Sequence, residues 1–429
     1  MTTITRIPAR EVLDSRGRPT VEVDVFLGDE VFGRAIVPSG ASTGTAEALE
    51  LRDGDPERFQ GRGVLRAVAN INNIIAPELT GCDASDQAGI DHRLLDLDGT
   101  PQKTNLGGNA MLGVSLANAC ATARAMRSPL YTYVSWLAAS TDDPDEQTLD
   151  PVKAKMPLPM VNMISGGLHA GRNLDFQDFL IIPSGASGYG QALEWIARVY
   201  ACLGKVLNKA GYEGWLVGDE GGYGPRLTSN REAAELLVRA IEDAHLEPGK
   251  QVALAVDVAA SHFFDTPSYY LKCGGEATLG SSEMVDLIES LCEDFPIISV
   301  EDPLVEDDWE GWSTLTSRIG SQVSVLGDDL LATNRERLQK AIELRAANAI
   351  LIKPNQVGTL TETLETIQLA RKAGFSFTVS ARSGETEDTF IADLAVGTAA
   401  NYIKIGSLVR GERTAKYNRL LRIAEEMQR

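Results

Sequence analysis

Six charged side chains stand at the ends of apolar runs in the second half of this sequence, and their types describe a cation site with two ammonium groups beside it. VALAVDV carries Asp257, IISVED carries Glu301, VSVLGDD reaches Asp328, AILIK closes on Lys353, FTVSARSG reaches Arg382 and YIK closes on Lys404. Three carboxylates with no His or Cys among them form an all-oxygen donor set, which suits Mg2+ or Mn2+ and not zinc. Asp302 and Asp329 are neighbouring acids placed to orient the ligands or the lysines. Of the two lysines, one can serve as a general base, its ammonium pKa lowered by the metal and by its twin, while the other holds charge. Arg382 with Ser383 offers a fork of donors for a phosphate or carboxylate. Glu220, set between glycine turns in WLVGDEGG, is the candidate general acid for a departing β-hydroxyl. The chemistry implied is removal of a proton next to a carboxylate, because the dianion so formed demands divalent cations. The plainer reading, solvated acids and structural ion pairs, fits less well because each acid directly ends an apolar run.

Those runs identify the elements that must hold the site. Four to six Val, Ile or Leu residues without polar alternation read as strands buried on both faces. Helical segments separate them: Ser281–Glu293, Asn334–Ala347, Leu360–Lys372 and Glu387–Gly397. The charged residues thus recur at intervals of 22 to 44 positions, at one point of a repeating strand–helix unit. In a β/α barrel such strand ends converge on one face. Upstream, PLPMVNMISGGLHAG reads as a strand and a glycine turn presenting His169, followed by Asp175, Gln177, Asp178 and the strand FLIIP. Tyr189–Ala210 and Arg231–Ala244 read as helices, Leu216–Gly224 as a strand entering the DEGG turn, and Arg413–Met427 as a closing helix with Arg and Lys on its polar side.

The first third has a different character. TVEVDVFL and VFGRAIV alternate around the Gly28-Asp29 turn and read as part of an antiparallel meander. Pro38–Gly44, with two glycines and three hydroxyls, is either a loop that folds over a ligand or an ordinary turn. Helical pattern follows at Val64–Ile75, Ser85–Leu95 and the alanine-rich Asn109–Met126. Three strands followed by helices make an α+β domain over residues 1–138, and residues 139–429 form the barrel domain. The acidic stretch AASTDDPDEQTLDP between them reads as a linker or exposed loop.

Composition limits the function classes. The chain has 429 residues, 43% of them hydrophobic, and a formal charge of −20. That charge argues against a nucleic-acid-coating surface, although a local anion site remains compatible with it. Five dispersed cysteines without a CxxC pair read as reduced thiols. The sequence has no apolar signal-like segment near its start and no run of 18 apolar residues, so neither classical secretion nor a membrane partner is expected. The expected location is cytoplasmic.

Nearly the whole chain resembles the enolase family of glycolytic hydro-lyases. The stretches that carry the resemblance are DSRGRPTVEV, VPSGASTGTAEALELRDGD, GGLHAGRNLDFQDFLI, VGDEGGYGP, VEDPLVEDDW, GDDLLATN, LIKPNQVGTLTET, ARSGETED, YIKIG and RGERTAKYNRLLRI. Lysine acting with Mg2+ on an enediolate is the established pattern of that superfamily. The resemblance implies an N-terminal α+β capping domain, a barrel whose first strands and helices come in irregular order, and a homodimer or assembly of dimers. It also implies a small phosphorylated carboxylate as substrate and two Mg2+ per site. Asp257, Glu301 and Asp328 match the carboxylates of the first magnesium, and Ser42 matches the serine that joins the second. Lys353 matches the base at C2 of 2-phosphoglycerate, and Lys404 the lysine on the substrate carboxylate. Glu220 matches the acid assisting departure of hydroxide, with His169 and Asp178 beside it. Arg382 and Ser383 match the phosphate-binding pair, and Gln177 falls among the substrate contacts.

The departures from the family pattern cluster near these positions. Ala381 occupies a histidine position, Asp178 and His262 occupy glutamate positions, and Ser165, Pro354, Ile405 and Gly411 replace other usual residues. With the base and metal ligands kept, the sequence supports 2-phosphoglycerate dehydration. It also supports a specialised relative forming a phosphonate-bearing enolpyruvate, of the carboxyphosphonoenolpyruvate synthase type. A non-catalytic binding protein derived from an enolase is the third possibility, and it sits badly with an intact metal triad and both lysines.

Overall fold

The computed structural model describes residues 2–28, 30–40, 46–140 and 153–428. Ser42 and most of the acidic stretch lie outside the described residues, so their expected roles are not addressed by it.

The N-terminal sheet is built on β3 (Pro19–Leu27), which is buried along nearly its whole length. β1 (Ile4–Arg6) and β2 (Ala9–Leu13) pair antiparallel with the same edge of β3, Ile4 opposite Leu27 and Ala9 opposite Val23. β4 (Val31–Ile36) pairs with the other edge. The expected three-stranded meander is therefore four-stranded, because its first strand is split at Ile7-Pro8, where proline lacks the N–H a continuous ladder needs. The alanine-rich helix Gly108–Ala125 packs on this sheet with nearly every residue buried. The approach is close: a Cβ on Gly33 would lie 2.1 Å from the Ala121 nitrogen and 2.2 Å from the Ala117 oxygen. A side chain at position 33 would push strand and helix apart.

The second half closes into an eight-stranded barrel. β5 (Leu158–Ser165) is followed by β6 (Asp178–Ile182), the helices Tyr189–Lys209 and Asn230–Asp243, and then β7 (Ala253–Asp257). A small sheet of β8 (Phe264–Asp265), β9 (Ser268–Leu271) and β10 (Ala277–Leu279) intervenes. Strands and helices then alternate through β11 (Ile297–Glu301), β12 (Ser324–Gly327), β13 (Ala349–Ile352), β14 (Ser376–Ser380) and β15 (Tyr402–Lys404), which pairs back to β5. β6 runs antiparallel to both neighbours, and all other barrel pairs are parallel. The irregular opening order expected from the resemblance is thus present. Its consequence is chemical. Being inverted, β6 brings its first residue, Asp178, to the rim where parallel strands bring their last, so Asp178 lies opposite Asp257 and Asp257 opposite Glu301.

Alternation sorts the strand residues between two faces. Met160, Leu180, Ile182 and Ala255 pack together as one small cluster, while Val161, Ile181, Leu254 and Val256 join the large cluster shared with the helices. Several expectations need correction. Residues 216–224 form turns with isolated bridges and no strand; the apolar Trp215, Leu216 and Val217 that suggested one are exposed. The helix from Asn334 stops at Leu344 because Arg345 takes a left-handed conformation (φ 52°). The helix expected from Glu387 begins at Phe390, whose N–H donates to the Asp388 carboxylate at 2.7 Å. Helices at Leu130–Ser140 and Trp309–Ile319 escaped the periodicity reading: the first is apolar on most sides, and the second is broken up by Gly, Ser and Thr. The closing helix Gly411–Glu426 buries Arg413 and Lys416 instead of presenting them to solvent. Lys416 Nζ pairs with Glu385 at 2.7 Å and donates to the Thr386 carbonyl at 2.8 Å, which makes burial of its charge tolerable.

Candidate active site

One cavity at the barrel rim gathers the sequence-predicted residues. His169, Gln177, Glu220, Asp257, Glu301, Asp328, Lys353, Arg382, Ser383 and Lys404 all line it, together with Asp302, Asp329, His262 and Ala381. Asp257 and Glu301 end the adjacent strands β7 and β11, and Asp328 and Lys353 follow directly after the next two, β12 and β13.

Ion pairs tie the charges together. The Lys404 ammonium lies 2.7 Å from Asp257 Oδ2 and 2.7 Å from Glu301 Oε2. Lys353 pairs with Asp328. Gln177 Nε2 donates to Asp257 Oδ2 at 3.1 Å, and Gln356 Nε2 donates to Asp328 Oδ1 at 3.0 Å. Asp302 accepts the backbone N–H groups of Asp328 and Asp329 at 2.9 and 2.8 Å, which fixes the loop that presents Asp328. Thr333 Oγ1 accepts from the Lys353 N–H at 2.9 Å and holds the start of the lysine's turn.

This donor set fits a hard divalent cation. Six carboxyl groups line the cavity (Glu220, Asp257, Glu301, Asp302, Asp328 and Asp329) against two lysines and one arginine. The arginine is already engaged: Arg382 Nη1 pairs with the buried Glu47 at 2.9 Å. The surplus of negative charge shows in the acids themselves. Burial, reinforced by Asp257 and Asp328, pushes the Glu301 carboxyl up to about 8. Burial and Asp328 push Asp329 up to about 7. The tightest groupings among the described residues are Asp302–Asp328–Asp329 and His169–Asp178–Glu220, each with its ligand atoms within 4.8 Å of one another. The predicted trio is less tightly drawn together, with the Lys404 ammonium between two of its members.

The expected lowering of the base's pKa is not what this arrangement gives. Burial pulls the Lys353 ammonium down, but Asp328 outweighs it and holds the group above its ordinary range. The reason is direct pairing. An uncharged Lys353 requires Asp328 to be engaged elsewhere, as it would be on a cation.

On the opposite wall, His169 Nδ1 lies 2.9 Å from Asp178 Oδ2, so the shortened acid still reaches the histidine. Asn162 Nδ2 holds the other oxygen of Asp178. Burial opposes protonation of His169, but Asp178, Glu220 and Asp257 overcome it and raise the imidazole to about 9. Burial raises Asp178 to about 6 even with the imidazolium against it. Burial would also raise Glu220, yet Arg413, His169, Lys404 and Lys353 hold it below the usual glutamate range. The proton in this cluster therefore rests on His169 while Glu220 is ionised. Glu220 as an acid must first be supplied.

Residues from outside the repeating strands complete the site, and sequence reasoning missed most of them. Arg16, from the turn-rich DSRGRP stretch, donates to Ser383 Oγ at 3.3 Å and to the Gly40 carbonyl at 3.0 Å. Glu47, on the same N-terminal half, is the partner of Arg382. Arg413, wholly buried, donates to the Ser383 carbonyl at 3.0 Å and lies 3.9 Å from Glu220. Both N-terminal residues fall in stretches quoted for the family resemblance. Nothing in their local pattern says that they reach the barrel rim.

Of the departures from the family pattern, Ala381 and His262 line the cavity, and Asp178 sits directly behind it. Ser165, Pro354, Ile405 and Gly411 are not among the lining residues. Comparison with known protein families matches residues 4–134 to the description "Enolase, N-terminal domain" and residues 153–429 to "Enolase, C-terminal TIM barrel domain". The two matches span almost the full length, the second alone more than half of it, and the chain belongs to the enolase family.

Proposed function

We propose that this chain is a Mg2+-dependent lyase that removes the C2 proton of 2-phosphoglycerate and eliminates water to give phosphoenolpyruvate. One observation carries the reading: the base and the acid cluster face each other across the barrel mouth. Lys353 follows β13, and Asp178 begins β6, four strands away around a ring of eight, with His169 on the turn that leads into it. A proton leaving one face of a substrate and a hydroxyl leaving the other require that separation.

Asp257, Glu301 and Asp328 would hold the cation. When bound, Mg2+ withdraws electron density from the substrate carboxylate and offsets the charge that proton loss creates. Lys404 then turns its ammonium to the same carboxylate. Arg382 and Ser383, braced by Glu47 and Arg16, receive the phosphate. Lys353 takes the C2 proton. His169 supplies a proton to Glu220, and Glu220 passes it to the departing hydroxyl, which leaves as water.

A second reading, a lyase forming a phosphonate-bearing enolpyruvate, is favoured by Ala381. A methyl group where the family carries an imidazole leaves more room beside Arg382 and removes one donor. The assay is elimination from 2-phosphoglycerate with Mg2+, run beside exchange of the C2 proton with solvent. Turnover on the order of 10–10³ per second supports the first reading. Exchange without comparable turnover supports the second. Absence of both with Mg2+ bound favours the non-catalytic reading.

The proposed homodimer, expected in the cytoplasm, has an exposed apolar surface in its favour. Trp215 is 81% exposed and Leu216 65%, and Val409 lies beside the same Gly221 turn. Sedimentation of the purified chain and of Trp215→Ser tests that surface, with a monomeric variant expected.

A further inference from the structure

Among the described residues lining the cavity, His262 carries the one buried polar side-chain atom without a hydrogen-bond partner, Nδ1. Every other cation or imidazole lining the cavity is engaged: His169 by Asp178, Lys404 by Asp257 and Glu301, Lys353 by Asp328 and Arg382 by Glu47. A buried nitrogen left without a partner is costly, so one carried by a ring that lines a cavity points to a ligand. The element that presents it is rigid. Ala259 is left-handed (φ 47°), the His262 N–H donates to the Ala259 carbonyl at 3.0 Å, and the Ala260 N–H donates to the Asp302 carbonyl at 3.1 Å. The next residue, Phe263, stacks on Phe176 with ring centroids 6.2 Å apart and meets Tyr269 edge-on at the same distance. Position 262 is therefore held in place by its neighbours and by the strand ends beneath them.

Its place in the ring is informative. His262 follows β7, and Ala381 follows β14, four strands away around the barrel. The cavity thus has a hydrogen-bonding ring on one wall and a bare methyl on the opposite one. Burial keeps the His262 imidazole below its ordinary pKa, so it stands neutral, with one nitrogen to donate and one to accept. On a wall crowded with carboxylates, a neutral ring binds a hydroxyl without adding repulsion.

We propose that His262 is a specificity-determining residue whose imidazole hydrogen-bonds the hydroxyl at the substrate end remote from the carboxylate. The inference rests on the lyase reading for what the substrate is, but not for whether His262 touches it. A ligand with that hydroxyl gains a bond that a hydroxyl-free ligand does not.

The test compares binding of 2-phosphoglycerate and of 2-phospholactate, which lacks the 3-hydroxyl, by calorimetry with Mg2+. A Lys353→Ala background keeps the first compound unconverted. Replacing His262→Ala should reduce the preference for the hydroxylated compound by about tenfold, the worth of one hydrogen bond. Affinity for 2-phospholactate should stay within about twofold. His262→Gln, which restores a polar atom at similar reach, should recover part of the preference. An unchanged preference in His262→Ala overturns the proposal, and so does equal weakening of both ligands. Failure of the lyase reading is separate: it appears as missing C2 exchange in the unsubstituted protein, and the binding comparison still decides His262.

Discussion

Mg2+ binding should be coupled to proton release, and lowering the pH from 8 to 6 should weaken it by about a hundredfold. The reasoning starts from Glu301, whose carboxyl burial lifts to about 8, and Asp329, lifted to about 7. Both folded values lie above the unfolded ones, so below its folded pKa each group holds a proton that the metal must displace. At pH 7 a carboxyl of pKa about 8 is roughly nine-tenths protonated, so binding releases about one proton, with an added share if Asp329 also ionises. Each pH unit below 8 then costs about tenfold, or about 1.4 kcal/mol, in apparent affinity. Above pH 8 the affinity levels off, because Glu301 is already ionised. Titration calorimetry at pH 6, 7 and 8, in buffers of different ionisation enthalpy, reads affinity and proton release together. Asp329→Asn should remove only the smaller share of the release, and Glu301→Gln should remove most of the pH dependence. Affinity constant within threefold across this range, with no proton released, would refute the view that surplus buried acid is what draws the cation in.

Three further outcomes are expected. Arg382→Ala removes the cation that pairs with Glu47, whose side chain is 4% exposed, and should cost about 3–5 kcal/mol of stability. Denaturant unfolding reads the loss, and adding Glu47→Gln should recover much of it. Glu220→Gln should spare C2 exchange while blocking elimination; parallel loss of both would contradict the division of roles across the barrel. Ala381→His should raise turnover of 2-phosphoglycerate if the bare wall explains an altered preference, and unchanged kinetics would remove that explanation.

The barrel was legible because parallel strands buried on both faces leave continuous apolar runs, and each run here stops on the residue that matters. Asp257, Glu301 and Lys404 could be placed at strand ends from pattern alone. The same cue failed at Trp215–Val217, where a short apolar run belongs to an exposed turn. Periodicity carries no information about which surface an apolar run faces. It also put Arg413 and Lys416 on a polar side, because sequence does not show that Ser383, Glu385 and Thr386 wait beneath them. Arg16 and Glu47 were hidden for a related reason. Their chemistry arises only when the N-terminal half folds onto the barrel rim, through contacts spanning more than 300 positions. Spacing places Lys353 near a cation but does not show its contact with Asp328, which keeps the ammonium charged until that carboxylate is engaged elsewhere.

The most direct test of the account follows the C2 proton itself. With 2-phosphoglycerate in deuterated buffer, the unsubstituted protein should exchange that proton only when Mg2+ is present, and Lys353→Ala should not exchange it at all. Exchange that persists in Lys353→Ala, or that proceeds equally well after chelation of the metal, would contradict the claim that this lysine and the three strand-end carboxylates act as one site.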